Sequence, residues 1–246
     1  MPILEANGAA IDYVDSGGDK PALVLIHGWL GTGESEFGPE IDWLKNNYRV
    51  LAPTRRGYGR SGPQPRRYSR DFYRRDAEDL AAWLDALQIK AAHMVGFSDG
   101  GEVAILLPII RPDLVLSVAA WGAVGYFSPD LRPYVQSKWP ATWVTDAIRA
   151  RHAPQPVEPI VLGWINAMKQ IIDSGGNVSL NEAHQITCPL LLMLGTRDEL
   201  NPPEAGRQLV ERVPKGKLVL FDCGHPIHRE QPERFRQTLG EHLQGV

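Results

Sequence analysis

The stretch "MVGFSDGGE", residues 94–102, holds a serine flanked by glycines two residues to either side and followed directly by an aspartate. A serine hydroxyl attacks a carbonyl only when a base takes its proton, and that base must be oriented by a third group. The G-x-S-x-G spacing suits a cramped turn between a strand and a helix. Its glycines relieve the crowding, and the helix N-terminus points N–H groups at the reacting oxygen. "AHMV" before Ser98 reads as a strand and "GEVAILL" after it as a helix, so the context meets that requirement.

Seven histidines could supply the base. His93 falls in or just before a strand and reads as packed. His242 lies on the last helical pattern, and His152 and His184 lie in an irregular segment. "CGHPIHREQPERF" places His225 in the turn after the last strand, at the carboxyl edge where sites of parallel sheets assemble, with His228 as its competitor. For the orienting acid, "LLLMLGTRDELNP" delivers Asp198 to the same edge, with Glu199 and Asp222 as rivals. Asp222 is too near His225 in sequence to reach easily across the imidazole. The expected catalytic set is therefore Ser98, Asp198 and His225. The oxyanion would take one donor from the backbone N–H of Asp99 and another from Trp29, in the "HGWLGTG" loop after the first buried strand. His27 reads as a brace for that loop.

These residues need a scaffold that brings them to one rim. "ILEANGAAIDYV" reads as two strands about an Asn7-Gly8 turn. Six runs follow with the continuous apolar character of strands buried on both faces: residues 22–28, 49–53, 92–96, 116–121, 189–195 and 217–221. Helical spacing recurs between several of them, as in Ala77, Leu80, Leu84 and Leu87, and near the end in Phe235, Leu239 and Leu243. Strands alternating with helices predict an α/β fold, a mainly parallel eight-stranded sheet with helices on both faces. From residue 122 to 186 no strand is evident although aromatics are frequent, which predicts an inserted helical cap over a core of residues 1–121 and 187–246. Trp139, Trp143 and Trp164 in that insertion fit either cap packing or the pocket wall.

"HGWLG", "RRGYGRSG", "GFSDGG", "LGTRDELNP" and "CGHPIHREQPERF" together resemble successive landmarks of the α/β-hydrolase family, across the whole chain except the insertion. The order Ser98, Asp198, His225 is the order that family implies. Thr54 departs from the aspartate that many relatives carry before R-G-x-G-x-S. "GTGESEFGP", "FYRRDAEDL", "WGAVGYF" and, more weakly, "SKW" are similar to segments of a branch that hydrolyses α-amino acid esters. There the aspartate after the nucleophile holds the substrate ammonium, and Asp99 occupies the matching position. The electrostatics agree with that implication. A carboxylate about 6 Å from the oxyanion, at an effective dielectric near 20, opposes its formation by about 3 kcal/mol, roughly a hundredfold in rate. A substrate ammonium would cancel much of this. The bland reading is an aspartate in a helix's first turn, favoured there by about 0.3–1 kcal/mol. Glu34 and Glu36 read as solvent-facing.

The implied activity is a serine hydrolase of small carboxylic esters. Within enzymes the same triad could serve carbon–carbon bond hydrolysis or perhydrolysis of the cofactor-free haloperoxidase type. From another class, the fold could hold a small ligand without catalysis. No metal or organic cofactor is implied, since no histidine–carboxylate cluster has ligand spacing. A net charge of −3 gives no reason to expect nucleic acid or membrane partners. The arginine-rich stretch from Arg55 to Arg75 reads as a solvated face offset by neighbouring acids. The opening residues have neither a basic leader nor an apolar run. Cys188 and Cys223 border opposite ends of two strands, about 20 Å apart if these run side by side, so a reducing, cytoplasmic setting fits.

Overall fold

A computed structural model describes residues 1–246. Eight strands form one sheet: β1 (Ile3–Ala6), β2 (Ala9–Asp15), β3 (Ala22–Ile26), β4 (Arg49–Pro53), β5 (Ala92–Phe97), β6 (Val115–Trp121), β7 (Leu190–Gly195) and β8 (Gly216–Phe221). Their spatial order is β1-β2-β4-β3-β5-β6-β7-β8. The β1–β2 hairpin turns at Asn7-Gly8, both with positive φ, and lies antiparallel to β4; every later pairing is parallel.

The register decides where chemistry can happen. Ile26 pairs with Gly96, Phe97 with Trp121, Trp121 with Met193, and Gly195 with Phe221. Five consecutive strands thus end along one line, and the loops after them meet at one rim. Both faces are covered because side chains alternate across the sheet: Leu23 and Leu25 pack into one layer, Val24 and Ile26 into the other. Two helices that pack against each other, α1 (Phe72–Ala86) and α2 (Asp99–Ile110), belong to the second layer.

Between β6 and β7 lie α3 (Arg132–Gln136), α4 (Asp146–His152), α5 (Val157–Asp173) and a 3-10 turn at Leu180–Gln185. Helix α5 buries Ile160, Val161, Trp164, Ile165, Met168 and Ile172 against the same core layer as α2. The last helix, α6 (Pro232–Gln244), buries Phe235, Leu239 and Leu243, the three positions that its periodicity picks out. Cys188 and Cys223 are free and flank opposite ends of the neighbouring parallel strands β7 and β8. No helix is long and apolar enough to cross a membrane.

Two surface expectations are corrected. Arg55 and Arg66 are buried, not solvated, and share Asp76 at 3.0 and 2.7 Å. Burial alone would raise the Asp76 carboxyl, but the two guanidiniums outweigh it and hold it below its ordinary value. Arg56 pairs with buried Asp79 at 2.6 Å, while Arg67 and Arg70 stay exposed. Glu36 is also buried and paired with Arg229, so it does not face solvent; Glu34 does. A charge pattern along the chain reports composition, and only the tertiary partners reveal which charges have been drawn inside.

Candidate active site

Ser98 sits between β5 and α2 with φ 54° and ψ −123°, a conformation that L-residues rarely hold. Its neighbours leave no room for alternatives. A Cβ at Gly96 would stand 2.2 Å from the Gly100 carbonyl oxygen, and one at Gly100 would stand 2.0 Å from that of Ile26. The turn is therefore too tight for any side chain at either place, and Ser98 is pushed out over the end of the sheet. Its backbone N–H donates to the Trp121 carbonyl at 2.8 Å, which ties the turn to the neighbouring strand.

The structure brings the three predicted residues together. His225 Nε2 lies 2.9 Å from Ser98 Oγ, and His225 Nδ1 lies 2.6 Å from Asp198 Oδ2. The other carboxylate oxygen, Oδ1, accepts the backbone N–H groups of Leu200 and Asn201 at 3.0 and 3.1 Å. Asp198 is thus aimed by its own loop. Burial pushes its carboxyl up, but the bond and charge of His225 and the two N–H groups bring it below its ordinary value, so it is ionised. Asn201 Nδ2 approaches both Asp198 Oδ2 and His225 Nδ1 at 3.4 Å, a contact that no local pattern signals. His228 lies apart, buried, accepting the indole N–H of Trp121 at 3.0 Å; it is a packing residue. Asp222 pairs with Arg197 and Glu199 takes no part.

The loop holding Trp29 comes close to the nucleophile: a Cβ on Gly28 would stand 3.2 Å from Ser98 Cβ. The backbone N–H groups of Trp29 and Asp99 donate to no protein acceptor. His27 braces the loop as expected. Its Nε2 accepts the Arg55 N–H at 2.9 Å and its Nδ1 faces the Gly28 carbonyl at 2.7 Å. Burial drives its pKa well below the ordinary value, so the ring is neutral and Nδ1 is the donor in the second bond. The Thr54 hydroxyl accepts the Gly33 N–H at 3.1 Å.

Asp99 follows the nucleophile directly, at the start of α2. Its side chain is buried beneath Trp164, which stacks on Trp29 with ring centroids 4.2 Å apart. The carboxylate accepts the Tyr73 hydroxyl at 2.7 Å and the Trp164 indole N–H at 3.2 Å, and Arg55 stands 3.8 Å away. Burial raises its carboxyl above the ordinary value against the pull of Arg55, Tyr73 and Trp164. Asp99 is not among the residues that line the cavity beside Ser98 in this structure. Residues spaced along the chain hid this: Tyr73 comes from α1 and Trp164 from α5.

Glu102, one turn further along α2, is a buried acid that the sequence did not single out. Its Oε1 accepts the N–H groups of Val124 and Gly125 at 2.8 and 3.0 Å, and burial raises its pKa to about 7. It anchors the chain as it leaves β6 for the cap. Gly122, at the head of that segment, lies against the His225 ring.

A cavity of about 450 Å³ opens over Ser98 and His225. Trp29, Trp143, Trp164 and Leu200 give it apolar walls, and Tyr134, Ser137 and Lys138 reach it from the cap. Trp143 and Trp164 are thereby assigned to the pocket, whereas Trp139 is not. No group of three or more His, Cys, Asp or Glu side chains is arranged so that it could hold a metal ion.

A strained serine, an imidazole and an ionised carboxylate in one hydrogen-bonded line, at the carboxyl edge of this sheet, define a serine hydrolase. The chain belongs to the α/β hydrolase family, whose model matches residues 23–238. It is 29% identical to the mouse serine hydrolase BPHL, the biphenyl hydrolase-like protein, over 245 residues that cover 97% of this chain and 84% of the relative. It is 28% identical to the 2-hydroxy-6-oxononadienedioate/2-hydroxy-6-oxononatrienedioate hydrolase of Burkholderia vietnamiensis, covering 95% of this chain and 90% of that one. Among solved structures, the meta-cleavage product hydrolase CumD of Pseudomonas fluorescens IP01 superposes with a TM-score of 0.78 at 24% identity, over 100% of this chain and 98% of the other. That last likeness concerns the fold.

Proposed function

We propose that the protein hydrolyses carboxylic esters through an acyl-enzyme formed on Ser98. His225 Nε2 takes the hydroxyl proton as Ser98 Oγ attacks the ester carbonyl, and Asp198 holds the ring and offsets the charge that it gains. The carbonyl oxygen becomes an oxyanion between the backbone N–H groups of Trp29 and Asp99. When the C–O bond breaks, His225 returns the proton to the departing alcohol. Water then repeats the sequence on the acyl-enzyme: His225 takes its proton, and the acid leaves as Ser98 recovers its own. The observation that carries this reading is the relay itself, 2.9 and 2.6 Å in length, built on a serine held at φ 54°.

The test is labelling with a fluorophosphonate and turnover of a 4-nitrophenyl ester. Both are expected in the wild type, and neither in Ser98→Ala at unchanged melting temperature; persistent turnover in that variant would refute the assignment. The likeness to the Burkholderia hydrolase favours a second reading, cleavage of a carbon–carbon bond by the same relay, and a dienoate substrate assayed beside the ester separates the two. A preference for α-amino acid esters, implied by the aspartate after the nucleophile, is the weaker reading. An ammonium could reach Asp99 only if Trp164 left both its carboxylate and the Trp29 ring.

A further inference from the structure

The cavity over Ser98 has a charge opposite in sign to the one that Asp99 suggests. None of its lining residues is an aspartate or glutamate, and Lys138 is the one lysine or arginine among them. Lys138 makes no ion pair with any carboxylate of the protein. Its Nζ lies 3.8 Å from the centroid of the Tyr134 ring, another cavity residue, and the Trp143 indole N–H donates to the Lys138 carbonyl at 2.9 Å. Its backbone is therefore pinned to one cavity wall and its ammonium rests on a second. Asp99, the nearest acid in sequence to the nucleophile, is spent on Tyr73, Trp164 and Arg55 behind the Trp29–Trp164 stack.

We propose that this cavity selects substrates bearing a carboxylate on the part that lies under the cap, with Lys138 as its counter-ion and the tryptophans packing the carbon skeleton between that carboxylate and the reacting carbonyl. This rests on Ser98 being the nucleophile of an ester hydrolase. A cation beside the end of helix α3 is favoured by the helix dipole alone. That preference, however, does not require a cavity without acids or a lysine in its lining with no carboxylate partner. An unpaired cation in an apolar, partly enclosed pocket rewards an anion more than it would at an open surface, since less water screens the pair.

Two pairs of esters test the proposal on the acyl and alcohol sides: mono-4-nitrophenyl glutarate against 4-nitrophenyl pentanoate, and 4-acetoxybenzoate against its methyl ester. The wild type is expected to favour the anionic member of at least one pair by about tenfold in kcat/KM, carried by KM with kcat unchanged. Lys138→Gln should abolish that ratio and Lys138→Glu invert it, each read as the ratio of kcat/KM within a pair in the same protein. Raising the salt to about 0.5 M should shrink the wild-type ratio. Equal ratios in all three proteins, or a wild-type preference for L-valine benzyl ester over every anionic ester, would overturn the proposal while leaving Ser98 chemistry standing. Calorimetric binding of glutarate and 4-hydroxybenzoate to Ser98→Ala decides the carboxylate site independently of turnover. Binding weakened by adding Lys138→Gln supports it, and unchanged or absent binding overturns it. If no ester is cleaved and no fluorophosphonate reacts, the ester hydrolase reading fails by itself, and the calorimetry still judges the anion site.

Discussion

Replacing Gly122 with alanine tests how closely the sheet edge dictates the position of the base. Gly122 has φ +62°, and a Cβ built there stands 2.6 Å from Cε1 and 3.0 Å from Nδ1 of His225. Ordinary contact begins near 3.4 Å, so the ring, the strand end or both must yield by about 0.8 Å. The ring has little slack, pinned at 2.9 Å to Ser98 on one side and 2.6 Å to Asp198 on the other. A shift of that size takes the serine bond beyond hydrogen-bonding range, and misplacement by about 1 Å lowers a rate by about a hundredfold, or about 2.7 kcal/mol of barrier. The left-handed backbone adds about 1–2 kcal/mol of lost stability for alanine. Gly175 provides the control, since it has φ +103° with nothing within 4 Å of its Cβ. Both variants should melt lower than the wild type, but only Gly122→Ala should lose kcat and fluorophosphonate reactivity. If Gly122→Ala keeps kcat within about threefold while its melting temperature falls as the control's does, the base is not held by that contact and the reasoning is wrong.

Glu102→Gln should flatten the dependence of stability on pH. With a folded pKa of about 7 against an ordinary 4.5, the folded protein holds this proton more tightly than the unfolded chain. Stability is therefore lost as pH rises between those values, by about 3 kcal/mol at completion. Glutamine keeps an acceptor for the Val124 and Gly125 N–H groups without the charge, so urea denaturation at pH 5 and pH 8 should show the two proteins diverging at the higher pH. Equal slopes would contradict the burial of that carboxylate. Asp99→Asn should leave the kcat/KM ratio of an α-amino ester to its des-amino analogue unchanged, because the carboxylate does not line the cavity. A ratio that collapses in the variant would restore the ammonium role.

The sequence by itself determined the sheet and the candidate relay. Apolar runs of strand length alternating with helical periods are local patterns, so the eight strands, α6 and the approximate extent of the insertion are legible without coordinates. Ser98, Asp198 and His225 are legible for the same reason. Each lies just past the end of a buried strand, and parallel strands in register must deliver such positions to one edge. What the sequence could not decide was the fate of side chains whose partners lie far along the chain. Asp99 reads as a substrate ligand until Tyr73, 26 residues before it, and Trp164, 65 residues after it, claim its oxygens. Arg55 and Arg66 read as solvated until Asp76 draws them inside, and Glu36 until Arg229 pairs with it. Lys138 is one lysine of seven until the cap lays it against a cavity without acids. A strand needs only its own alternation to be recognised, because burial of its faces is written in consecutive residues. The charge presented by a pocket is a sum over groups brought together by folding, and that sum exists only in the tertiary structure.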